Sequence, residues 1–221
     1  MMLTLVACTP GSSTDGVARG SVRLGFPLPQ RDLFTEVIGV DHDPVDHDDS
    51  PIGGAICTNF EGEHFPSCYD GHRGTDYLLD GGFETMDAGS AEIVAAATGV
   101  VISVRDGEYD RCHIGDDFDV TCDGNSGRAN HVILEHIDGT QTNYWHMMKD
   151  SIVVEVGQVV PCGSMLGMVG SSGNSSTPHL HFQVERYDQR IDPYAGVESQ
   201  PETWWSGQDS DDGLPEAGCA G

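Results

Sequence analysis

Two histidines, His179 and His181, occupy alternate positions within residues 177–184. Leu180 and Phe182 beside them are apolar, and the branched and aromatic residues of this stretch favour a β-strand. Since alternate side chains of a strand share a face, both imidazoles are predicted on one face while the apolar side chains enter a core. Such a pair suits a metal site or an acid–base pair, although H-x-H alone more often marks an ordinary half-buried strand.

A second pair, His72 and Asp76, is separated by three residues that include Gly74. The residues that follow are not typical of a helix. On a straight strand the two side chains would stand about 13 Å apart, too far to share one metal ion at bond lengths of ~2.0–2.2 Å. If both are ligands, the chain must bend at Gly74, where no Cβ resists unusual dihedral angles.

A third histidine, His146, lies near the end of a predicted hairpin. Its strands are expected at 130–136 and 142–146, joined by an Asp-Gly turn at 138–139, which is a strong hairpin signal. Strand alternation predicts that Tyr144 and His146 share one face. A lone histidine in this position is more often structural than chemical.

The composition favours a mainly β protein, because 29 glycines and 11 prolines separate short runs rich in valine and isoleucine. Strands are expected at 93–97 and 99–104, and the lack of a long 3.6-residue period predicts few, short helices. The formal net charge of −26 argues against nucleic acid or an anionic membrane as a partner. No apolar stretch is long enough to span a membrane.

Seven cysteines are present without any C-x-x-C pair, which argues against a zinc knuckle or a thioredoxin-like site. Residues 5–8, Leu-Val-Ala-Cys, have the form of a bacterial lipoprotein cleavage site in which Cys8 is lipidated. The apolar stretch before Cys8 is short and no basic region precedes it, so a chance match is the alternative. The other six cysteines fit three disulfides in an oxidising compartment.

Three motifs together resemble a known family: H-x-G-x-D at 72–76, Y-x-H at 144–146 and P-H-L-H-F at 178–182. Their order and approximate spacing resemble those of the lysostaphin-type, or LytM-type, zinc metallopeptidases of bacterial cell walls. Supporting segments that also resemble the family lie at 93–99, 139–146, 157–160 and 167–175. The resemblance covers residues 53–195 and implies antiparallel sheets with a zinc-bearing groove.

The resemblance also implies roles for five side chains. His72, Asp76 and His181 would ligate one Zn²⁺ per chain, and His146 and His179 would lie beside the metal without ligating it. A catalytic zinc keeps three protein ligands and leaves one position for water, whose pKa falls from about 15.7 towards ~7. Either further histidine then suits the work of a general base or of orienting the water. The sequence leaves open which of His146 and His179 has which role.

The function implied is that of a zinc metalloendopeptidase that hydrolyses peptide bonds in peptidoglycan. The alternative is a non-catalytic LytM-type activator or binding module for other cell-wall hydrolases. Degenerate members lose metal ligands, whereas all three ligand positions and both further histidines are present here, which favours the enzyme. A calcium-binding acidic β-protein is a third interpretation, but it leaves the five placed residues as coincidence. The expected location is the cell envelope or the extracellular space.

Four segments are predicted along the chain. Residues 1–20 are a lipoprotein-like leader and flexible tether, because they are small, polar and rich in Gly, Ser and Thr. Residues 21–52 are an acidic segment, 53–195 the peptidase domain and 196–221 an irregular acidic tail. Within the acidic segment, 41–44 and 46–49 are predicted to be solvated loops rather than a metal site, since EF-hand spacing is absent.

Two further hypotheses concern residues near the predicted zinc site. His42 or Asp43 could reach the open zinc position and hold the enzyme latent. Family members also carry a tyrosine upstream of H-x-G-x-D that stabilises the tetrahedral intermediate, and Tyr69 is the nearest candidate here, at a shorter spacing.

Disulfides are expected to stiffen the loops around the site. Cys57 and Cys68 bracket the loop that leads into His72, where a disulfide would restrict its approach. Six cysteines can pair in many ways, and the sequence does not decide among them. The suggested pairs are Cys57 with Cys68, Cys112 with Cys122, and the remaining Cys162 with Cys219.

Overall fold

The structure is a computed structural model, and it describes residues 22–45, 54–60, 63–64, 67–116, 119–208, 215–216 and 218–219. Fifteen strands are assigned in these residues, together with the five-residue helix α1 and one 3₁₀ turn, Arg31–Leu33. Their bounds are β1 Glu36–Gly39, β2 Asn59–Phe60, β3 Glu63–His64, β4 Ser67–Cys68, β5 Thr75–Leu78, α1 Phe83–Asp87, β6 Glu92–Val94, β7 Gly99–Arg105, β8 His113–Ile114, β9 Val120–Thr121, β10 His131–Glu135, β11 Thr140–Trp145, β12 Val159–Val160, β13 Met165–Met168, β14 His179–Arg186 and β15 Gln189–Ile191.

One nine-stranded sheet organises the molecule. Eight strands follow the order β12-β7-β10-β11-β14-β5-β1-β4, and β15 pairs with β14. Every pairing in this sheet is antiparallel except that of β1 with β4. The prediction of a mainly β protein with antiparallel sheets and few, short helices is confirmed.

Strand β14 runs through the middle of this sheet, and its side chains alternate as the sequence predicts. Leu180, Phe182 and Val184 are almost fully buried in the core. His179 and His181 lie on the opposite face. Across the strand borders, Phe182 pairs with Tyr144 of β11 while His181 pairs with Asp76 of β5. The register therefore places an apolar contact and a polar contact on the two faces of the same strand.

The predicted hairpin is confirmed as β10 and β11, joined through the turn at 138–139. The two strands expected around residues 93–104 are also present, as β6 and β7. They do not pair with each other: β6 pairs with β13 in a separate two-stranded sheet, and β7 lies between β10 and β12. Extended conformation follows from local sequence here, but the choice of partner does not.

The core draws on residues far outside 53–195. Leu24, Phe26 and Leu28 from the N-terminal side are buried at 0–3% exposure, and Trp205 from the C-terminal side is fully buried. The Trp205 ring packs against Phe182 at 5.5 Å and Phe26 at 6.4 Å between centroids. The division of the chain into four segments remains a prediction, and residues from three of those segments share one core.

The described residues contain three disulfides, and they join the pairs suggested by the sequence: Cys57–Cys68, Cys112–Cys122 and Cys162–Cys219. The expected lipidation at Cys8 and the acidic stretch 46–49 lie outside the described residues. Among the described residues, no helix has the length and apolar character needed to cross a membrane.

We expect Trp205→Ala to lower the free energy of unfolding by about 3–5 kcal/mol, because it removes a fully buried ring that the surrounding core cannot refill. Urea unfolding followed by circular dichroism measures the change. Val197→Ala is the control from the same tail, since Val197 is 76% exposed and its truncation should cost no more than about 0.5 kcal/mol. Equal unfolding midpoints for the two variants would contradict a structural role for the tail.

Candidate metal centre

Three predicted ligands, His72, Asp76 and His181, converge at the border between β5 and β14. Asp76 and His181 are direct register partners on these strands. The Nδ1 atom of His181 lies 2.7 Å from Oδ1 of Asp76, and the Nε2 atom of His72 lies 3.1 Å from the same oxygen. The two imidazole nitrogens are 3.2 Å apart. One oxygen and two nitrogens thus form a compact, nearly equilateral group.

This donor group fits a zinc ion. Ligand atoms at zinc bond lengths in a tetrahedral arrangement stand roughly 3.3–3.5 Å from one another, close to the observed separations, and zinc prefers imidazole and carboxylate donors of this kind. Within the residues that the structure describes, this is the one group of three or more His, Cys, Asp or Glu side chains close enough to hold a metal ion. The candidate site is therefore the same set of residues that the sequence singled out.

Hydrogen bonds to the outer ring nitrogens fix which nitrogen of each imidazole faces the group. The Nδ1–H of His72 donates to the carbonyl oxygen of Gly39 at 2.5 Å, which leaves Nε2 as a lone-pair donor. The Nε2–H of His181 donates to Oε1 of Gln183 at 3.3 Å, and its Nδ1 is the nitrogen directed at the group, 2.7 Å from Oδ1 of Asp76. Such outer partners orient metal ligands and select their tautomers.

Gly74 bends the chain between His72 and Asp76, as predicted, but for a different reason. Its φ angle lies outside the left-handed region, so the backbone conformation does not itself require glycine. A Cβ at this position would lie 2.7 Å from Nε2 of His181 and 2.7 Å from the carbonyl oxygen of Phe182. Glycine is needed because the ring of a candidate ligand passes directly over the bend.

His146 and His179 lie beside the three donors. Their ring centroids are 4.6 Å apart, and Nε2 of His179 is 3.6 Å from Oδ1 of Asp76. The Nδ1–H of His146 donates to the carbonyl oxygen of Ser172 at 2.7 Å, and that of His179 to the carbonyl oxygen of Thr177 at 2.8 Å. In each ring the Nε2 atom therefore carries no hydrogen and can accept a proton.

The prediction that Tyr144 and His146 share a face is wrong. Tyr144 is fully buried in the core, where its hydroxyl accepts a hydrogen bond from the backbone N–H of Ala96. His146 follows the end of β11 and has a φ angle of 66°. This left-handed turn rotates the chain out of strand alternation and directs the imidazole towards His179 instead.

Burial and neighbouring charges set the protonation of these groups. Burial opposes the charge of Asp76, but the imidazoles of His179 and His181 lower its pKa well below the usual range. Burial, with the adjacent imidazoles, lowers the pKa of His146 to about 3, and burial also lowers the pKa of His179. The site at neutral pH therefore combines an ionised carboxylate with two uncharged imidazoles that can accept a proton.

Tyr69 also belongs to this site. Its ring stacks on the His72 imidazole at 4.3 Å between centroids. Burial and the Asp76 charge raise the pKa of Tyr69, so the hydroxyl remains a proton donor. Tyr69 lines a cleft of about 400 Å³ that also exposes His146 and His179.

Residues 71–193 match the family described as Peptidase family M23. This match spans more than half of the chain. The chain belongs to peptidase family M23. The resemblance to lysostaphin-type, or LytM-type, peptidases is thereby confirmed, and the matched segment lies inside the predicted 53–195.

Individual M23 proteins resemble the chain over part of its length. It is 28% identical over 121 residues to the peptidoglycan DD-endopeptidase ShyB of Vibrio cholerae, which covers 55% of this chain and 22% of ShyB. It is 32% identical over 95 residues to the murein hydrolase activator EnvC of Escherichia coli, covering 43% of this chain and 22% of EnvC. The crystal structure of a zinc-containing peptidase from Vibrio cholerae aligns with a TM-score of 0.48 at 22% identity, over 77% of this chain and 39% of that one. The chain thus matches about a fifth of the length of these two curated relatives.

Asp41 supports the M23 site from outside the matched residues, and sequence reasoning missed it. The predicted solvated loop is wrong at this position, because Asp41 is fully buried. Its Oδ1 accepts the backbone N–H groups of Asp43 and Ile56, and its Oδ2 accepts that of Gly71 at 2.8 Å. The Asp41 N–H also donates to the carbonyl oxygen of His72. An aspartate often accepts the backbone N–H of the residue two positions later and so forms a turn. This tendency of Asp41 was the signal in the sequence that could have indicated its structural role.

The side chain of the neighbouring His42 contacts Asp192 and not the three candidate ligands. Its Nε2 is hydrogen-bonded to Oδ2 of the buried Asp192 at 2.9 Å, and Thr58 donates to the same oxygen. These contacts hold the His42 ring at Asp192, so they do not support a role for His42 in blocking the site.

We expect Asp41→Asn to weaken zinc binding about tenfold or more, as the loss of outer-shell partners does elsewhere. An asparagine amide in place of Oδ2 would present N–H groups to the N–H of Gly71, so the residue before His72 would lose its anchor. Competition with a chromophoric zinc chelator measures the dissociation constant.

Asp138→Asn is the matched control for this prediction. Asp138 is also buried, and its two oxygens accept the backbone N–H groups of Thr140 and Val22, at the opposite end of β11 from the candidate ligand His181. Both variants take a backbone N–H acceptor away from a buried side chain, which costs about 1–3 kcal/mol in unfolding free energy. If Asp41→Asn bound zinc as tightly as Asp138→Asn, the support of His72 by Asp41 would be refuted.

Proposed function

We propose that this M23 protein is a zinc metalloendopeptidase that hydrolyses peptide bonds in bacterial peptidoglycan. The observation that carries the proposal is the joint geometry of the site. Three donor atoms lie within 3.2 Å of one another, and two uncharged imidazoles turn their free Nε2 atoms to the same cleft. The relatedness to a peptidoglycan DD-endopeptidase supports peptidoglycan as the substrate class.

His72, Asp76 and His181 are proposed to hold the metal. When bound, zinc supplies Lewis acidity that polarises the scissile carbonyl and lowers the pKa of water. Side chains of the protein accept and donate the proton that moves during hydrolysis. The Nε2 atom of His179 or His146 accepts a proton from the attacking water as the new carbon–oxygen bond forms. The same proton passes to the leaving amine nitrogen as the carbon–nitrogen bond breaks.

Tyr69 is proposed to donate its hydroxyl hydrogen bond to the oxyanion that develops on the carbonyl oxygen. Tyr69 and Asp76 both line the cleft that the substrate would enter. Preorganised donors of this kind stabilise charge that appears only in the transition state. The shorter sequence spacing before His72 does not prevent this placement, because Tyr69 already stacks on the His72 ring.

An oxidising location, the cell envelope or the extracellular space, is proposed with this function. The three disulfides and the peptidoglycan named as the target of a relative support it. Lipidation of Cys8 remains part of the proposal and rests on the sequence alone.

A non-catalytic activator of other wall hydrolases is the second candidate, and the relatedness to EnvC, a murein hydrolase activator, favours it. Such a protein does not need donor atoms held for a metal. The presence of all three donors and both further imidazoles in one buried cluster supports the peptidase instead.

We expect purified wild-type protein to carry about one zinc per chain and His181→Ala to lose it, because two donors rarely retain zinc. Metal analysis after dialysis measures the content. His113→Ala is the control, since it removes a partly exposed histidine that lies outside the three-donor group. Zinc retained by His181→Ala, or none in the wild type, would count against the proposed ligands.

We expect His179→Ala to keep its zinc and to release peptide fragments from peptidoglycan about 10²–10⁴ times more slowly, as the loss of general acid–base catalysis predicts. Chromatography of digests from several wall preparations measures the rate. A wild type that binds zinc but cleaves none of these preparations would favour the activator, and an unchanged rate in the variant would exclude His179 as the proton acceptor.

A further inference from the structure

A chain of buried hydroxyls connects His179 to a disulfide-closed loop. The hydroxyl of Ser171 donates to the carbonyl oxygen of Cys112 at 2.7 Å, and its Oγ lies 2.8 Å from Oγ of Ser175. The Ser175 Oγ in turn lies 3.2 Å from Nδ1 of His179. Both serines and Cys112 are at most 1% exposed, so bulk water does not compete for these bonds.

The backbone reinforces this connection at its far end. The N–H of Cys112 donates to the carbonyl oxygen of Ser171 at 2.8 Å, and the N–H of Ser171 donates to the carbonyl oxygen of Asp110 at 3.1 Å. The Cys112–Cys122 disulfide closes this loop on itself. The hydroxyl of Ser171 is therefore held against a partner that has little freedom to move.

The orientation of His179 depends on what its Nδ1–H can bond. That N–H faces the carbonyl oxygen of Thr177 and the hydroxyl of Ser175 together, which leaves Nε2 to face the cleft. The Oγ of Ser175 lies 2.9 Å from the carbonyl oxygen of Thr177, but in this chain of hydroxyls its single hydrogen is donated to Oγ of Ser171, because the Ser171 hydrogen already bonds the carbonyl of Cys112. Without Ser171, the Ser175 hydroxyl would lose its link to the rigid loop.

The two histidines among the proposed metal ligands have supports that do not include the serine chain. His72 bonds the carbonyl of Gly39, and His181 bonds Gln183. A change in the serine chain should therefore disturb proton transfer without removing the metal.

We propose that Ser171 is a positioning residue that acts through Ser175 to hold the His179 imidazole, with the Cys112–Cys122 loop as its anchor. This inference rests on the proposed function in that His179 moves protons during hydrolysis. Ser171 acts on the reaction only through its neighbours, because its hydroxyl is buried between Cys112 and Ser175.

The test compares Ser171→Ala with Ser151→Ala in the full 221-residue chain loaded with zinc. Ser151 is the matched control, because its hydroxyl also donates to a backbone carbonyl, that of Met148, but is not a member of the serine chain. We expect kcat on peptidoglycan to fall about tenfold or more in Ser171→Ala, with KM and zinc content unchanged. Ser151→Ala should match the wild type in all three.

Two further variants keep the test decisive. Ser175→Ala removes the link next to His179, and its kcat decides the question if Ser171→Ala does not fold. The double variant Cys112→Ala with Cys122→Ala removes the anchor, and it should lower kcat in the same way. A kcat in Ser171→Ala and Ser175→Ala equal to that of the Ser151→Ala control would overturn the proposal, as would a loss of zinc that accounts for the whole effect.

A measurement without substrate separates this inference from the proposed function. The Nδ1–H proton of His179 in zinc-loaded protein, followed by NMR, should exchange slowly in the wild type and in Ser151→Ala. It should shift and exchange faster in Ser171→Ala and Ser175→Ala. If the wild type cleaves no wall preparation, the proposed function fails. The NMR signal still shows whether Ser171 and Ser175 hold the His179 ring, because it is measured without substrate. An identical signal in all four proteins would refute it.

Discussion

The pairing of His181 with Asp76 across the border of β14 and β5 is the interaction on which the site depends. A buried carboxylate is costly unless charged or hydrogen-bonding partners surround it, and here the partners are the imidazoles of the site. A shift of one residue in this register would turn His181 into the core and bring Leu180 to the carboxylate. The apolar pairing of Phe182 with Tyr144 on the other side of β14 opposes such a shift.

Two supports on opposite sides bring the remaining groups to this pair. On one side, Gly39 and Asp41 hold His72 through its ring and through the residue before it. On the other side, the loop 171–175 supplies the acceptors for His146 and His179. The M23 match begins at residue 71, so the first support lies outside it. The two supports are separate, so the proposed metal ligand His72 and the proposed proton acceptors His146 and His179 depend on different contacts.

Local patterns in the sequence were enough to predict much of this arrangement. Period-two alternation around His179 and an Asp-Gly turn at 138–139 predict strands that the structure contains. The same reasoning failed at His146, where a left-handed residue interrupts alternation, and at Asp41, where acidic composition suggested solvent exposure. Both errors have one cause: a pattern of residue types does not show which backbone donors a side chain will meet after the chain folds.

By itself the sequence determined the strand pattern and the chemical types of the five site residues. These depend on nearest neighbours along the chain. Tertiary structure decided that His72, Asp76 and His181 meet at one point, that Tyr69 stacks on the His72 ring and that Asp41 is buried. The physical reason is that strand register and core packing set distances between residues up to 109 positions apart, which no local preference specifies.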